Sequence, residues 1–252
     1  MIIDDLMHID HWRWQDHTAE YADGQEEKIL AMMNDACVDK AIVLTTWMDS
    51  RRSNDITYSA AQKYPDRFIA FGHVRPIDLY WPAELERIGS KFGWKGLKIH
   101  QGEFPLPIME PLLPVLAKAR EVGIKVVTFH CEMFEVAEKV ATEFPELTFI
   151  FPHLGCLRDR PRLPVYCRLA HERKNVYLDT SAIQNEEMIG EAVALAGAAN
   201  LIWGSDGCVH RPLVEIAKIR VQKLPKADED LILGGNIARV LEEAGYYKNK
   251  GD

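Results

Sequence analysis

Five residues of metal-binding type, His8, His100, His130, His153 and Asp206, each close a short run rich in β-branched and aromatic side chains. Neutral imidazole and carboxylate suit zinc, manganese or iron, and a coordination position left open admits water or substrate. Any one such histidine, alone, reads as a hydrogen-bonded core or rim residue. Five at successive strand ends read as a site, because a polar side chain brought to the mouth of an apolar barrel must be hydrogen-bonded or bound to a cation.

The elements that position these residues follow from hydrophobic periodicity. Strands are predicted over residues 2–8, 40–46, 67–74, 96–100, 124–130, 147–153, 175–180 and 201–206. Helices separate them, most clearly over 25–36, 81–91, 108–121, 133–144 and 186–198, and two more close the chain over 213–222 and 228–244. Gly123 follows one helix, and Pro145 and Pro225 stand just past others, where a helix cannot continue. Eight β-α units in 252 residues predict an α/β fold, a (β/α)8 TIM barrel, as a single domain over 1–252. No Gly/Ser linker, charge block or short repeat marks a second domain.

Composition excludes several partners. Lys and Arg total 30 against 38 Asp and Glu, a formal charge of −8, which disfavours duplex nucleic acid and anionic membranes and favours a small-molecule substrate. The first residues carry acids and no long apolar run, so neither a signal peptide nor a spanning helix is expected, and the expected compartment is the cytoplasm. The five cysteines, Cys37, Cys131, Cys156, Cys167 and Cys208, form no C-x-x-C pair and read as reduced thiols.

Ordered motifs connect these elements to a family. Ile3-Asp4-Asp5-Leu6-Met7-His8 looks like an I-D-x-H-x-H first strand, and Gly96-Leu97-Lys98-Ile99-His100 is similar to the fourth. Phe129-His130 and Phe151-Pro152-His153-Leu154-Gly155 match the fifth and sixth, and Asn175–Ser181 follows. Trp203-Gly204-Ser205-Asp206 resembles the strand-eight aspartate motif, and Leu233-Gly234-Gly235-Asn236-Ile237-Ala238-Arg239 the terminal helix. Over nearly its whole length the chain resembles the amidohydrolase superfamily, in its amidohydrolase-related (amidohydrolase 2) branch of TIM-barrel hydrolases and small-acid decarboxylases.

The resemblance implies a divalent metal, zinc first and manganese or iron next, mono- or dinuclear. Its ligands would be His8, His130 and Asp206, with His153 a further ligand or a substrate-binding, charge-stabilising residue. Such an ion lowers the pKa of bound water and polarises a carbonyl, and Asp206 is then a candidate general base. Leu6 departs from the pattern, standing where the first histidine of the pair is expected. Residues two apart on a strand share a face, so Leu6 points with His8 but coordinates nothing. The site then has fewer ligands, or recruits others, or has lost catalysis.

His100, Glu103 and Glu132 are the available recruits. Lys98 shares a face with His100; it pairs with a carboxylate or substrate anion, or, as in some relatives, is carboxylated to bridge two metals. Glu103 and Glu132 read alternatively as solvated charges or as partners orienting a histidine. Arg158, Arg211 and Arg75 follow strands where an arginine can clamp a carboxylate, or else form surface ion pairs. His73 and His210 are candidates for the pocket lining or for structural hydrogen bonds. Trp12, in the long loop after the first strand, either roofs the pocket or meets a second subunit. The expected activity is hydrolysis or non-oxidative decarboxylation of a small carboxylate-bearing molecule. Two alternatives remain: an oxygen-activating dinuclear iron or manganese–iron hydroxylase using His100, Glu103, Glu132 and His210, and a non-catalytic or partner-dependent subunit. A homo-oligomer, or a hetero-oligomer with a related barrel, is expected.

Overall fold

Alternating side chains sort the strands into two faces. In β4 (Gly96–His100), Leu97 and Ile99 enter the core beneath the helices, while Lys98 and His100 line a central cavity. Repeating that alternation around eight parallel strands builds a (β/α)8 barrel. The others are β1 (Ile3–His8), β2 (Lys40–Leu44), β3 (Phe68–Ala70, resuming at Gly72–His73), β5 (Val126–His130), β6 (Thr148–Phe151), β7 (Val176–Asp179) and β8 (Leu201–Ile202). The computed structural model describes residues 1–9, 11–13, 18–20, 25–157 and 159–246.

Two ladders make up the wall, one of β1, β2 and the first part of β3, the other running from the second part of β3 to β8. Phe71 N–H donates to Val43 O at 3.1 Å between them. At the other seam, Asp5 N–H donates to Trp203 O at 3.4 Å, His8 N–H donates to Gly207 O, and Met7 bridges Gly207. This seam is held by separate bonds and a bridge, without a continuous β1–β8 ladder.

The helices are α1 (Gln25–Asp35), α2 (Ser50–Lys63), α3 (Trp81–Glu86), α4 (Met109–Glu121), α5 (Phe134–Glu143), α6 (Leu163–Glu172), α7 (Glu187–Ala196), α8 (Pro212–Arg220), α9 (Lys226–Asp230) and α10 (Asn236–Glu243). A short antiparallel hairpin, His11–Arg13 with Thr18–Glu20, follows β1. α2 has no apolar stripe, because the face it buries is Ser50, Ser53, Asn54, Thr57 and Ala60. Asn54 does the packing there by hydrogen bonding: Nδ2 donates to Ser50 O, His73 O and Glu84 Oε1, and Oδ1 accepts from His73 N–H, each at 2.8 Å. The span 228–244, expected as one helix, is divided by a wider turn over Leu231–Gly235.

One apolar layer lies between strands and helices, with Phe129, Phe149 and Phe151 against Leu116, Val136 and Val140. A second fills the barrel's amino-terminal end with Ile3, Leu6, Ile42, Leu44, Phe71, Val126, Ile150 and Ile202, and Ile237 and Leu241 of α10 join it. Among the described residues no helix is long and apolar enough to cross a membrane. All five cysteines are free thiols.

β1 carries a bulge that decides the fate of Leu6. Asp4 pairs with Ala41 and Met7 with Val43, so three steps along β1 match two along β2 and both Asp5 and Leu6 oppose Ile42. Leu6 turns inward, fully buried in the lower apolar layer. Asp5 comes so close to Gly204 that a Cβ there would overlap Asp5 Oδ1 and Asp179 Oδ2.

Candidate active site

At the carboxyl ends of the strands lies a cavity of about 290 Å³ lined by His8, Thr46, Trp47, Lys98, His100, His130, His153, Leu157, Asp206 and Val209. All five residues first singled out as donors therefore share one wall. Two of them sit differently from expectation. β6 stops at Phe151 and β8 at Ile202, so His153 and Asp206 stand in turns beyond the strands, with φ of 59° and 56°. Trp47, with φ of 58°, does likewise after β2. Non-glycine residues in this left-handed region cost on the order of 1–3 kcal/mol each and concentrate where a site requires a particular side-chain direction.

Hydrogen bonds set what each ring can do. His8 Nε2 lies 3.3 Å from Asp206 Oδ1, and His8 Nδ1 lies 3.4 Å from the Thr46 hydroxyl. Burial works to raise the Asp206 carboxyl, but the His8 hydrogen bond and the charges of His153, His8 and Lys98 outweigh it and hold the group well below the usual carboxylate range. His153 Nδ1 is 3.0 Å from both Ser181 O and the Ser181 hydroxyl. The carbonyl can only accept and the hydroxyl can accept as well, so both partners are satisfied with the proton on Nδ1, the form in which Nε2 keeps its lone pair. Asp179 Oδ1 braces this arrangement, accepting from His153 N–H at 3.3 Å and Ser181 N–H at 2.5 Å. His100 has the opposite polarity: Nδ1 accepts from Gly102 N–H at 3.0 Å, so in the neutral ring Nε2 carries the proton. Burial, then the charges of His130 and Lys98, push His100 well below its ordinary value, and burial takes His130 down to about 4 against the pull of Glu132.

Beneath the donors is a buried polar layer. Burial and the adjacent Asp179 push the Asp5 carboxyl well above its ordinary range. Asp4 is raised to about 7 by burial, although its Oδ1 accepts from Leu6 N–H at 3.2 Å and Ser205 N–H at 2.9 Å. Burial also pulls Lys98 below its ordinary value, opposed by Asp206, Asp179, Asp5 and Glu103.

The remaining candidates lie outside the cavity lining. Glu132 is half-exposed and its Oε1 stands 3.2 Å from His130 Nε2, orienting that ring. Glu103 is buried, accepting from His73 Nε2 at 2.9 Å and Trp47 N–H at 2.8 Å, so it fastens the Trp47 turn. Arg75 reaches only to 3.9 Å from that carboxylate. His210 faces Glu215 at 3.9 Å, and exposed Arg211 precedes α8. The side chain of Trp12 and all of Arg158 lie outside the described residues. Sequence reasoning missed Thr46, Trp47, Leu157 and Val209 as lining and Ser181 as the group that orients His153. Only Trp47 carried a signal, a large aromatic just past a strand end.

The donors fit a divalent cation in type. They also fit in the spacing of one pair: two ligands at about 2.0–2.1 Å from a tetrahedral ion stand about 3.3 Å apart, and His8 Nε2 and Asp206 Oδ1 are 3.3 Å apart. Among the described residues no trio of His, Cys, Asp or Glu closes on a common point.

A sequence profile described as amidohydrolase matches residues 9–242. The chain belongs to the amidohydrolase family. Among solved structures, this amidohydrolase is similar to 5-carboxyvanillate decarboxylase from Sphingomonas paucimobilis, with a TM-score of 0.71, 16% identity, and coverage of 96% of this chain and 98% of that one. It is similar to 2,6-dihydroxybenzoate decarboxylase from Rhizobium, with a TM-score of 0.70, 15% identity, and coverage of 97% and 99%. It is also similar to 5-carboxyvanillate decarboxylase from Novosphingobium aromaticivorans, complexed with manganese and 4-hydroxy-3-methoxy-5-nitrobenzoic acid, with a TM-score of 0.71, 18% identity, and coverage of 96% of both chains. At these identities the likeness is one of fold. No curated protein matches the amidohydrolase at the sequence level.

Proposed function

We propose that this amidohydrolase is a divalent-metal-dependent enzyme that decarboxylates small aromatic acids. The observation that carries the reading is the His8–Asp206 pair, 3.3 Å apart, on a cavity whose apolar side is Trp47, Leu157 and Val209. A volume of about 290 Å³ sits at the small end for ligand sites and suits one substituted ring. The decarboxylases of hydroxylated benzoates that share the fold support this substrate class.

His8 and Asp206 would hold the ion as a pair, with substrate or water oxygens completing its shell; His130, the third ligand the resemblance implies, does not close on a common point with them. Manganese, bound in one structural relative, suits this all-nitrogen-and-oxygen donor set as well as zinc does. When bound, the ion supplies Lewis-acid polarisation of substrate oxygens. The chain's own residues do the rest. Asp206 stays ionised, which makes it a ligand and a weak proton acceptor. His153, locked on Ser181 O through Nδ1, presents Nε2 to the cavity as the atom that takes up and returns a proton. In decarboxylation the ring-to-carboxyl bond breaks, carbon dioxide leaves, and the electron pair stays on the ring carbon. That carbon receives the proton that His153 Nε2 first takes up from water before the substrate fills the cavity, which returns His153 to its neutral form. Trp47, Leu157 and Val209 keep water from that carbon.

The full chain loaded with manganese or zinc, incubated with a panel of hydroxybenzoates, should release carbon dioxide and the matching phenol. Cleavage of esters, amides or lactones with no carbon dioxide from any acid would replace this reading with hydrolysis. Elemental analysis of His8→Ala should show lost metal; full retention would remove His8 from the ligand set.

A further inference from the structure

Lys98 is almost completely buried, lines the cavity, and makes no hydrogen bond or ion pair among the described residues. Asp206, Asp179, Asp5 and Glu103 surround it electrostatically and favour the ammonium form, yet none pairs with it. Burying a cation without a contact partner is costly, and a protein tolerates it where a ligand completes the site. Two residues further along the same strand, His100 also faces the cavity, with Nδ1 occupied by Gly102 N–H and its proton on Nε2. A nitrogen that carries a proton donates to an oxygen and does not ligate a metal. The ring is braced on both sides, 4.7 Å from Trp47 and 4.2 Å from His130 between centroids, so the donor is held in place.

We propose that Lys98 and His100, adjacent on the inner face of β4, form an anion-recognition wall that takes the substrate carboxylate, with the Lys98 ammonium as counter-charge and the His100 Nε2–H as directional donor. This rests on the acidic-substrate reading above and assigns His100 to the substrate, although its residue type first placed it among the metal donors. It also gives Lys98 a role that requires no covalent modification.

The test uses full-length protein, metal-free and manganese-loaded, titrated calorimetrically with benzoate and its neutral counterpart benzamide. Wild type is expected to prefer benzoate in both forms, and Lys98→Met should weaken benzoate by ~10-fold or more while leaving benzamide unchanged, the range for a charge-assisted hydrogen bond. His100→Gln, which retains an N–H donor near the Nε2 position, should keep most of the preference; His100→Phe should lose it. If wild type does not distinguish the two probes, the acidic-substrate reading itself fails. If wild type prefers benzoate and Lys98→Met or His100→Phe keeps that preference, the wall is overturned and the acidic substrate stands. Circular dichroism checks each variant, and should Lys98→Met not fold, the His100→Gln and His100→Phe pair decides alone, since His100 lies at the half-buried end of its strand.

Discussion

Replacing Leu6 by histidine restores the family's strand-one pattern and, on the geometry here, does not restore a ligand. Leu6 is fully buried in the lower apolar layer with Ile3, Ile42 and Leu44, and it is absent from the cavity lining. Removing a buried leucine forfeits roughly 1.5–3 kcal/mol of burial, and an imidazole among aliphatic side chains adds about 1–3 kcal/mol for unmet hydrogen bonds. A net loss on the order of 3–5 kcal/mol follows, which in a chain of this size lowers Tm by roughly 6–20 °C. Thermal melts of metal-free Leu6→His against wild type measure it, and repeating them with manganese separates two mechanisms. A buried, non-coordinating histidine gives the same metal-induced rise in both proteins. The reasoning is refuted if Leu6→His melts with wild type, or gains markedly more from manganese than wild type does, since position 6 would then be a vacant ligand site.

Three further outcomes are expected. Gly204→Ala places a methyl group against Asp5 and Asp179 at the seam, and equilibrium urea unfolding should show a loss of about 1–3 kcal/mol or more. Asp4→Asn keeps the acceptor for Leu6 and Ser205 N–H but removes a charge. Because the folded protein holds the Asp4 proton up to about 7 against 3.8 ordinarily, the stability this contributes is complete at low pH and is lost as pH rises through 7. The variant should therefore outlast wild type at pH 8 by on the order of 4 kcal/mol and show no such gain near pH 4; equal stability at pH 8 would contradict the assignment. Glu103→Ala leaves Trp47 N–H and His73 Nε2 unpaired, costs about 3–5 kcal/mol, and should alter Trp47 fluorescence; unchanged emission would show that the turn is set elsewhere.

How much of this was legible in the sequence depended on whether a position is governed by periodicity or by contact. The strand predicted over 96–100 coincides with β4, because Leu97 and Ile99 alternate cleanly with Lys98 and His100. The convergence of His8, His100 and His130 on one cavity follows from the same alternation repeated around a barrel, whereas His153 and Asp206 reach it from turns just past their strands. The bulge at Asp5 and Leu6 leaves no trace in hydrophobic pattern, since an extra residue in a strand is detected only against its partner's register. α2 was illegible for a different reason: Asn54 and three hydroxyl side chains occupy the positions where a stripe of Leu or Ile would announce a helix. Ring polarity in His100 and His153 is invisible for a third, because Gly102 N–H and Ser181 O are backbone groups that every sequence possesses.

The apolar side of the cavity and four of its polar side chains are carried by different kinds of backbone. His8, Lys98, His100 and His130 project from the strands themselves, whereas Trp47, Leu157 and Val209 belong to the turns that follow them. Substitutions at the second group change the room's dimensions while the four strand-borne side chains keep their register in the sheet. A library randomised at 157 and 209 would therefore sample new ring substituents while leaving Trp47 in place beside the His100 ring.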